Sequence, residues 1–187
     1  MVRHNYVPNL KYKLTMKKKN IVIVIIVSLL SYLGYNIITK VKEKNKITKQ
    51  LQTLPKFKLK TLENVSFSNS DLKQNTSTIF IYFNSDCDFC HHEAKSISQN
   101  LKKFKNVQFV FVSFEETEAI KKFSELQKLN NQQNIIFLED KKGEFSTQFD
   151  ANSIPYILIY NQNNELIKKH KGQLNANGIL RVLNEND

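Results

Sequence analysis

The chain of 187 residues contains no tryptophan, only two cysteines and two methionines, and almost no acidic residue in its first third. Residues 1–58 hold 13 lysines and arginines but a single acid, Glu43, whereas residues 59–187 hold 15 basic and 16 acidic residues. The basic excess is therefore confined to the N-terminal part, and the remainder has a net charge of −1. Because nucleic-acid-binding domains need clustered positive charge, no nucleic-acid partner is predicted.

The basic residues flank one long apolar segment, IVIVIIVSLLSYLGYNII, at 21–38, which has 18 residues and no charge. That length reaches the lower limit for crossing a bilayer as a helix. The absence of a small-x-small pattern after it disfavours cleavage as a signal peptide. The absence of a nearby cysteine excludes a lipid-modified N-terminus, and the flanking lysines disfavour a buried core helix. We predict a short basic N-terminal tail at 1–20, a bilayer-spanning signal anchor at 21–39, a linker at 40–54 and one domain at 55–187.

The orientation of the anchor in the membrane is predicted from the length of the C-terminal domain more than from the flanking charges. Lysines flank both of its ends, so the positive-inside rule gives little guidance, and long C-terminal domains translocate largely regardless of nearby charge. Met16 opens a stretch, MKKKNIVIVIIVS, that is typical of a bacterial membrane or export signal. We expect a single-pass protein of the bacterial inner (cell) membrane, with its C-terminal domain on the extracytoplasmic (periplasmic) side.

Beyond the linker, apolar periodicity predicts strands that alternate with helices. Strands are expected over 57–61, 65–67, 78–84, 107–114, 135–138, 154–160 and 166–171, and helices after Cys90, over 115–129, over 143–149 and over 176–183. In the helix at 115–129, the inward positions are expected to be Ile120, Phe123, Leu126 and Leu129. This order predicts an α/β fold, a mixed sheet covered by helices on both faces.

The two cysteines form the motif Cys87-Asp88-Phe89-Cys90 at the junction between the strand at 78–84 and the following helix. A helix N-terminus favours a thiolate, and two thiols on a first helical turn can close and reopen a disulfide. A purely structural disulfide is disfavoured because so small a loop contributes little stability. Cys87 is nearer the helix end, whereas Cys90 is one turn in and more shielded. We therefore predict a redox-active dithiol in which Cys87 attacks and Cys90 resolves.

The order strand, CxxC, helix, strand, helix, strand, helix, Ile154-Pro155, strand, hairpin, helix resembles the thioredoxin fold over about residues 54–187. With a leading hairpin at 54–72 and a membrane anchor, the chain is similar to membrane-anchored, redoxin-type thiol–disulfide oxidoreductases of the TlpA/ResA-like type. The resemblance implies a thioredoxin-like mixed sheet flanked by helices, an extra N-terminal β-hairpin and one transmembrane helix. It also implies reduction of disulfides in protein substrates and a membrane dithiol that donates the electrons. We expect a monomer that needs no cofactor and no metal.

The resemblance also implies which residues act besides the cysteines. The family pattern CxxCxxE places Glu93 close to the thiols, where a carboxylate raises their pKa and handles their protons; an exposed first-turn acid paired with the helix dipole is the alternative. Pro155 is expected to follow a cis bond and to face the CxxC. Ile154, Pro155 and Phe89 are then expected to bind the substrate peptide. Many relatives carry Trp before the first cysteine, whereas this chain has Asp86 there, so the resemblance does not predict the substrate-docking surface at this position.

The charges around the first cysteine bear on the direction of electron transfer. Asp86 and Asp88 flank Cys87 and oppose thiolate formation, whereas the helix end favours it; His91 and His92 would help only if protonated. If the carboxylates dominate, the dithiol is a reductant rather than a strong oxidant.

Two metal-dependent alternatives use the same motif. Cys87 to His91 also spells CxxCH, the c-type haem attachment signature, but the predicted domain has no methionine to supply a second axial ligand and leaves only His170. A zinc site would have to use Cys87, Cys90, His91 and His92. Four ligands within six residues strain tetrahedral geometry, so this alternative is disfavoured as well.

Two further alternatives keep the fold and change the activity. A peroxiredoxin-like peroxidase would need a Pro/Thr pattern before its cysteine and a nearby arginine. Here Asn84-Ser85-Asp86 precede Cys87, and the one arginine after position 3 is Arg181, near the C-terminus. A non-catalytic, membrane-tethered peptide-binding module would use the groove of the fold without its thiols.

Overall fold

The computed structural model describes residues 10–186, with the backbone alone at 10–19; residues 1–9 of the predicted basic tail lie outside the described residues. The chain divides after Lys46 into two units. Helix α1 (Leu10–Leu51) is 42 residues long and passes from the first unit into the second. From Asn20 onward it is long and apolar enough to cross a membrane, and its apolar side chains at 21–38 are exposed.

The helix α1 continues through most of the predicted linker at 40–54. Ile47, Leu51 and Leu54 are apolar positions at helical spacing, and Leu51 is fully buried in the core of the second unit. The last turn of α1 therefore belongs to the domain rather than to a solvated tether. The segment at 40–54 is rich in lysine, asparagine and glutamine, so the helical spacing of its few apolar residues gives only a weak sequence signal.

Seven strands form one mixed sheet in the order β2-β1-β5-β4-β3-β6-β7. The strands are β1 (Lys58–Thr61), β2 (Ser66–Ser68), β3 (Ser77–Tyr82), β4 (Val107–Ser113), β5 (Ile135–Glu139), β6 (Tyr156–Tyr160) and β7 (Leu166–Lys171). The central strands β3, β4 and β5 are parallel, whereas β1 and β2 form the predicted N-terminal hairpin and β6 and β7 a second antiparallel pair. The predicted mixed sheet is confirmed.

The helices of the second unit cover both faces of this sheet. They are α2 (Asp88–Asn100), α3 (Thr117–Leu126), α4 (Glu144–Gln148) and α5 (Ala176–Asn184). Alternate side chains of β3 point to opposite faces. Ile79 and Ile81 lie in a core cluster with residues of α2, α3 and α5, whereas Phe80 and Tyr82 lie in a second cluster with residues of α4 and the end of α1.

The buried face of α3 differs from the predicted one at one position. Ile120 and Phe123 are buried as expected, but Leu126 is 69% exposed and Gln127 is buried in its place. At about 100° per residue, a residue seven positions after Ile120 returns to the same face, whereas a residue six positions after it points away. Repeated steps of three residues are shorter than the helical period of 3.6 residues, so they leave the buried face after two steps. The prediction that Leu126 lies in the core was therefore wrong.

Candidate active site

The two cysteines lie where the chain passes from β3 into α2. Cys87 is the residue before the first helical turn, with an extended backbone, and its carbonyl accepts the His91 N–H at 3.1 Å. Cys87 is partly exposed, whereas Cys90 is 2% exposed, and both thiols are free. The interaction of the Cys90 thiol with Cys87 contributes to the raised pKa of Cys90, so the two thiols lie near each other. The structure thus pairs an accessible thiol with a shielded one.

The pKa of the Cys90 thiol is strongly raised, first by burial. The backbone N–H of Asn84 lowers it, whereas the side-chain interaction with Cys87 and the negative charges of Cys87 and Glu93 raise it further. Burial penalises the charged thiolate because the surroundings of Cys90 solvate it poorly. Cys90 therefore stays protonated until a base removes its proton.

Glu93 lies on the buried face of α2, one turn beyond Cys90, and its side chain is fully buried. Neither carboxyl oxygen has a hydrogen-bond partner, although the nearby backbone N–H of Leu174 lowers the pKa of the group. Burial, followed by the charge of Cys87, raises the pKa of Glu93 well above its usual range. The alternative of an exposed acid at the helix end is wrong, since the carboxyl group is enclosed beside the dithiol.

The Ile154–Pro155 peptide bond is cis, as predicted. Tyr156, the next residue, pairs with Tyr82 at the end of β3, so the cis bond lies at the sheet end from which the chain runs to Cys87. Pro155 is buried and its carbonyl accepts the Gly172 N–H at 2.9 Å, whereas Ile154 is partly exposed.

Ile154 and Cys87 also pack against the same core cluster, on the face of the sheet that α2 covers. Phe89, the third residue predicted to bind substrate, is 62% exposed between the cysteines. The structure therefore brings two of the predicted substrate-binding residues to the dithiol end of the sheet, and it leaves the Phe89 ring free to contact a partner.

Sequence reasoning missed the residues that hold the loop before Cys87. Ser85 donates its N–H and its hydroxyl to the Glu115 carboxylate, both at 2.6 Å, and its carbonyl accepts from Nε2 of His91 at 2.7 Å. The Gln127 amide in turn donates to Nδ1 of His91 at 2.8 Å. The Ser85–Glu115 and His91–Gln127 pairs lie 30 and 36 residues apart along the chain, so no local pattern marks them, whereas Ser85 and His91 are six residues apart.

These contacts also bear on the metal-dependent alternatives. Both ring nitrogens of His91 are engaged within the protein, which leaves neither available for an axial bond to haem iron in this arrangement. Among the residues whose side chains are described, no three His, Cys, Asp or Glu side chains group as a metal site requires. The cysteines and histidines named for a zinc site thus do not converge.

Comparison with known proteins agrees with this architecture. Residues 51–170 match the AhpC/TSA family. No curated protein sequence matches the chain.

Solved structures similar to the chain include a secreted Mycobacterium tuberculosis disulfide oxidoreductase (20% identity, TM-score 0.59, covering 73% of this chain and 98% of that one). A thioredoxin-like protein from Aeropyrum pernix is also similar (14% identity, TM-score 0.59, covering 79% and 98%). A third is peroxidoxin BcpB from M. tuberculosis (15% identity, TM-score 0.61, covering 71% and 94%). The fold is thioredoxin-like, and the chain belongs to the AhpC/TSA family.

Proposed function

We propose that this protein is a membrane-tethered thiol–disulfide oxidoreductase that reduces disulfides in protein substrates through Cys87 and Cys90. The placement of a partly exposed and a buried free thiol, three residues apart at the N-terminus of a helix, carries this proposal. Thiol–disulfide exchange needs one accessible nucleophile and one protected resolving thiol within reach of it. The family match and the likeness to a disulfide oxidoreductase support the same activity.

The proposed reaction passes two electrons and two protons to the substrate. The Cys87 thiolate attacks one sulfur of the substrate disulfide, a Cys87–substrate bond forms, and the first substrate sulfur leaves and takes up a proton. Cys90 then gives its proton to a base and attacks the Cys87 sulfur; the Cys87–substrate bond breaks, and the second substrate sulfur leaves as a thiolate that takes up a proton. The product is a Cys87–Cys90 disulfide, which a dithiol donor, proposed to lie in the membrane, reduces for the next cycle.

Glu93 is proposed to take the Cys90 proton in the second step. Cys90 needs a base because burial holds its pKa high. A carboxylate whose own pKa is raised by burial is a stronger base than an exposed one, so the transfer from a thiol costs less free energy. Since the carboxyl oxygens have no other partner, no hydrogen bond has to break when Glu93 receives the proton.

The substrate is proposed to bind as an extended peptide beside Ile154 and Pro155, with Phe89 contacting it from the other side of Cys87. The partly exposed Ile154 and the exposed Phe89 ring offer apolar surface at the dithiol end of the sheet. An extended peptide placed there would align its disulfide with the Cys87 sulfur.

The dithiol is proposed to act as a reductant. Asp86 and Asp88 lie exposed on either side of Cys87, and the buried carboxyl of Glu93 lies behind it. Negative charges near the cysteines disfavour the thiolate form, so they favour a dithiol that gives up its electrons readily.

The helix α1 supports tethering to a membrane, since from Asn20 it is long and apolar enough to cross one. We propose a single-pass, monomeric protein of the bacterial cell membrane whose domain lies on the extracytoplasmic side. Lysines on both sides of the apolar segment suit the surfaces of a bilayer.

The second candidate is a peroxidase, which the similarity to peroxidoxin BcpB favours. In the part of the chain that the structure describes, the arginine such chemistry would use is Arg181, exposed in the last turn of α5. No observation places Arg181 beside Cys87, so we favour the disulfide reductase over the peroxidase.

The test uses the full chain in detergent micelles, reduced beforehand and mixed with a peptide that carries one internal disulfide. We expect stoichiometric peptide reduction, no activity for Cys87→Ser, and a mixed disulfide that accumulates on a non-reducing gel for Cys90→Ser. Consumption of hydrogen peroxide in place of the peptide disulfide would favour the peroxidase. Peptide binding by wild type and Cys87→Ser without any reduction would favour the non-catalytic module.

A further inference from the structure

Ser85, two residues before Cys87, has every polar group held by another side chain. Its N–H and its hydroxyl donate to separate oxygens of the Glu115 carboxylate at 2.6 Å, and its carbonyl accepts from His91 at 2.7 Å. Hydrogen bonds to a charged acceptor are shorter and stronger than neutral ones. The loop is therefore held at Ser85 by contacts from two different elements.

Glu115 is itself fixed where it leaves the sheet. It follows β4, and its carboxylate also accepts the hydroxyl of Ser113 at 3.0 Å, a residue that is fully buried at the end of that strand. Three donors thus converge on one carboxylate group, which ties the loop before Cys87 to the rigid centre of the sheet.

His91 makes the second attachment of the loop. Its Nε2–H donates to Ser85, its Nδ1 accepts from the buried Gln127 at the end of α3, and its ring packs on Phe123 with centroids 5.1 Å apart. The histidine of the CxxCH motif thus joins the loop to α3.

Between these attachments the loop is hydrogen-bonded to itself. The Asp86 N–H donates to the Asn84 side chain at 2.9 Å, and the Cys87 N–H donates to the Asn84 carbonyl at 3.2 Å. A displacement of Ser85 would therefore be passed on to Cys87, since Asp86 and Cys87 both donate to Asn84, the residue before Ser85.

We propose that Glu115 is a positioning residue for disulfide exchange: by holding Ser85 it sets the Cys87 sulfur against the Ile154–Pro155 end of β6. The inference rests on the proposed function and specifies its substrate as a polypeptide disulfide bound in extended form. Such a substrate is held at two places at once, by the groove and by the attacking sulfur. A displacement of about 1 Å between them costs up to about a hundredfold in rate.

The test compares three variants of the full chain in detergent: Glu115→Ala, Glu115→Gln and the control Glu116→Ala. Glu116 is the neighbouring carboxylate, but it is exposed and paired with Lys141 at 2.7 Å, so its loss changes the net charge equally without touching Ser85. Glutamine at 115 can still accept the Ser85 N–H and can donate to the Ser85 hydroxyl, so it preserves the hold without the charge.

Two rates are measured for each variant: single-turnover reduction of a peptide disulfide, and alkylation of Cys87 by iodoacetamide. The small reagent needs no alignment with the groove. For Glu115→Ala we expect peptide reduction to fall ten- to a hundredfold, while alkylation changes less than about twofold. Glu115→Gln and Glu116→Ala should both stay within about threefold of wild type in peptide reduction.

Three outcomes would overturn the inference: unchanged peptide reduction in Glu115→Ala, an equal fall of both rates, or a loss in Glu115→Gln as large as in Glu115→Ala. The second would mean that Glu115 acts on the reactivity of the thiol itself, and the third that its charge matters rather than its hydrogen bonds. Failure of the proposed function is seen separately, because wild type would then reduce no peptide disulfide at all.

Discussion

Replacing Glu93 by methionine removes a fully buried carboxyl group while keeping a side chain of similar length. Both carboxyl oxygens lack a hydrogen-bond partner, and the neighbouring side chains on α2, Cys90, Ala94 and Ile97, are also buried. We therefore expect Glu93→Met to stabilise the protein and to slow disulfide exchange. Glu93→Gln is the matched control, because it removes the charge and keeps an unpartnered polar group.

The size of the gain follows from the cost of the unpartnered group. A buried polar group without a partner costs about 1–3 kcal/mol, which Glu93→Met should recover. For a domain of this size each kcal/mol is worth about 3 °C in Tm, so the rise should be about 3–9 °C at pH 4. At that pH both the carboxyl and the amide are neutral, so Glu93→Gln should differ little from wild type.

The stability difference between Glu93→Met and wild type should grow with pH, because burial raises the pKa of Glu93 in the folded state. Between the ordinary carboxyl pKa of about 4.3 and the raised pKa of Glu93, the unfolded chain has released the proton while the folded protein still holds it; above the raised pKa the folded protein carries the carboxylate that acts as the base. The contribution of Glu93 to the stability of wild type therefore falls as pH rises above the ordinary carboxyl pKa, and this contribution is absent from both variants. Both variants should gain more over wild type at pH 7 than at pH 4.

The assay is thermal unfolding of the full chain in detergent at both pH values, followed by circular dichroism. Single-turnover peptide reduction at pH 7 should fall about a hundredfold in both variants, since loss of a general base costs that much or more. A Glu93→Met protein that is less stable than wild type at pH 7 would refute the reasoning, because the carboxylate would then have to be satisfied in the folded state. An advantage that does not change with pH would refute the assigned pKa direction.

Three further expectations concern the core, the redox poise and the anchor. Phe123→Ala removes a buried ring whose centroid lies 4.5 Å from that of Phe83, and it should lower the free energy of unfolding in urea by about 3–5 kcal/mol. Leu126→Ala should change the same free energy by less than about 0.5 kcal/mol, because Leu126 is exposed. Equal losses in the two variants would contradict the observed buried face of α3. Equilibration with thiol buffers should give the dithiol a midpoint potential nearer to about −270 mV than to about −120 mV, and a value above about −150 mV would rule out the reductant. Replacing Ile25 and Leu29 together by lysine should raise the free energy of membrane insertion by about 3 kcal/mol per lysine and move the protein out of the membrane fraction. The control is a lysine at Val65, an exposed residue of the second unit, which should leave the protein in the membrane fraction. Membrane retention of the double variant would refute the anchor.

Most of the fold could be predicted because its signals are local. Strands such as β3 and β4 are unbroken apolar runs, and the turn at Glu63-Asn64 separates the two strands of the N-terminal hairpin where expected. The dithiol was found because a strand-to-helix junction and a CxxC spacing coincide. The cis bond at Ile154–Pro155 came from the fold resemblance, since sequence alone favours trans before a strand.

The contacts that were missed join residues far apart in the chain. Ser85 and Glu115 are separated by 30 residues, and their interaction depends on β3 and β4 lying side by side. The spacing of three residues puts Glu93 on the same face of α2 as Cys90, but its complete burial also depends on the approach of the segment near Leu174, which lies far along the chain. The end of α1 was missed because three apolar residues among many polar ones make a weak signal.

Under the proposed function, one side of α2 carries the thiol chemistry and the other side meets the substrate. Cys90 and Glu93 point into the core, where a replacement has to fit the space that the packing leaves, whereas Asp88 and Phe89 project outward from the same two turns. Under the proposed function, evolution or a protein engineer can therefore exchange the outward residues to change the protein substrate, while the cysteines and Glu93 stay unchanged. Retuning the thiols, by contrast, requires repacking the interior around them.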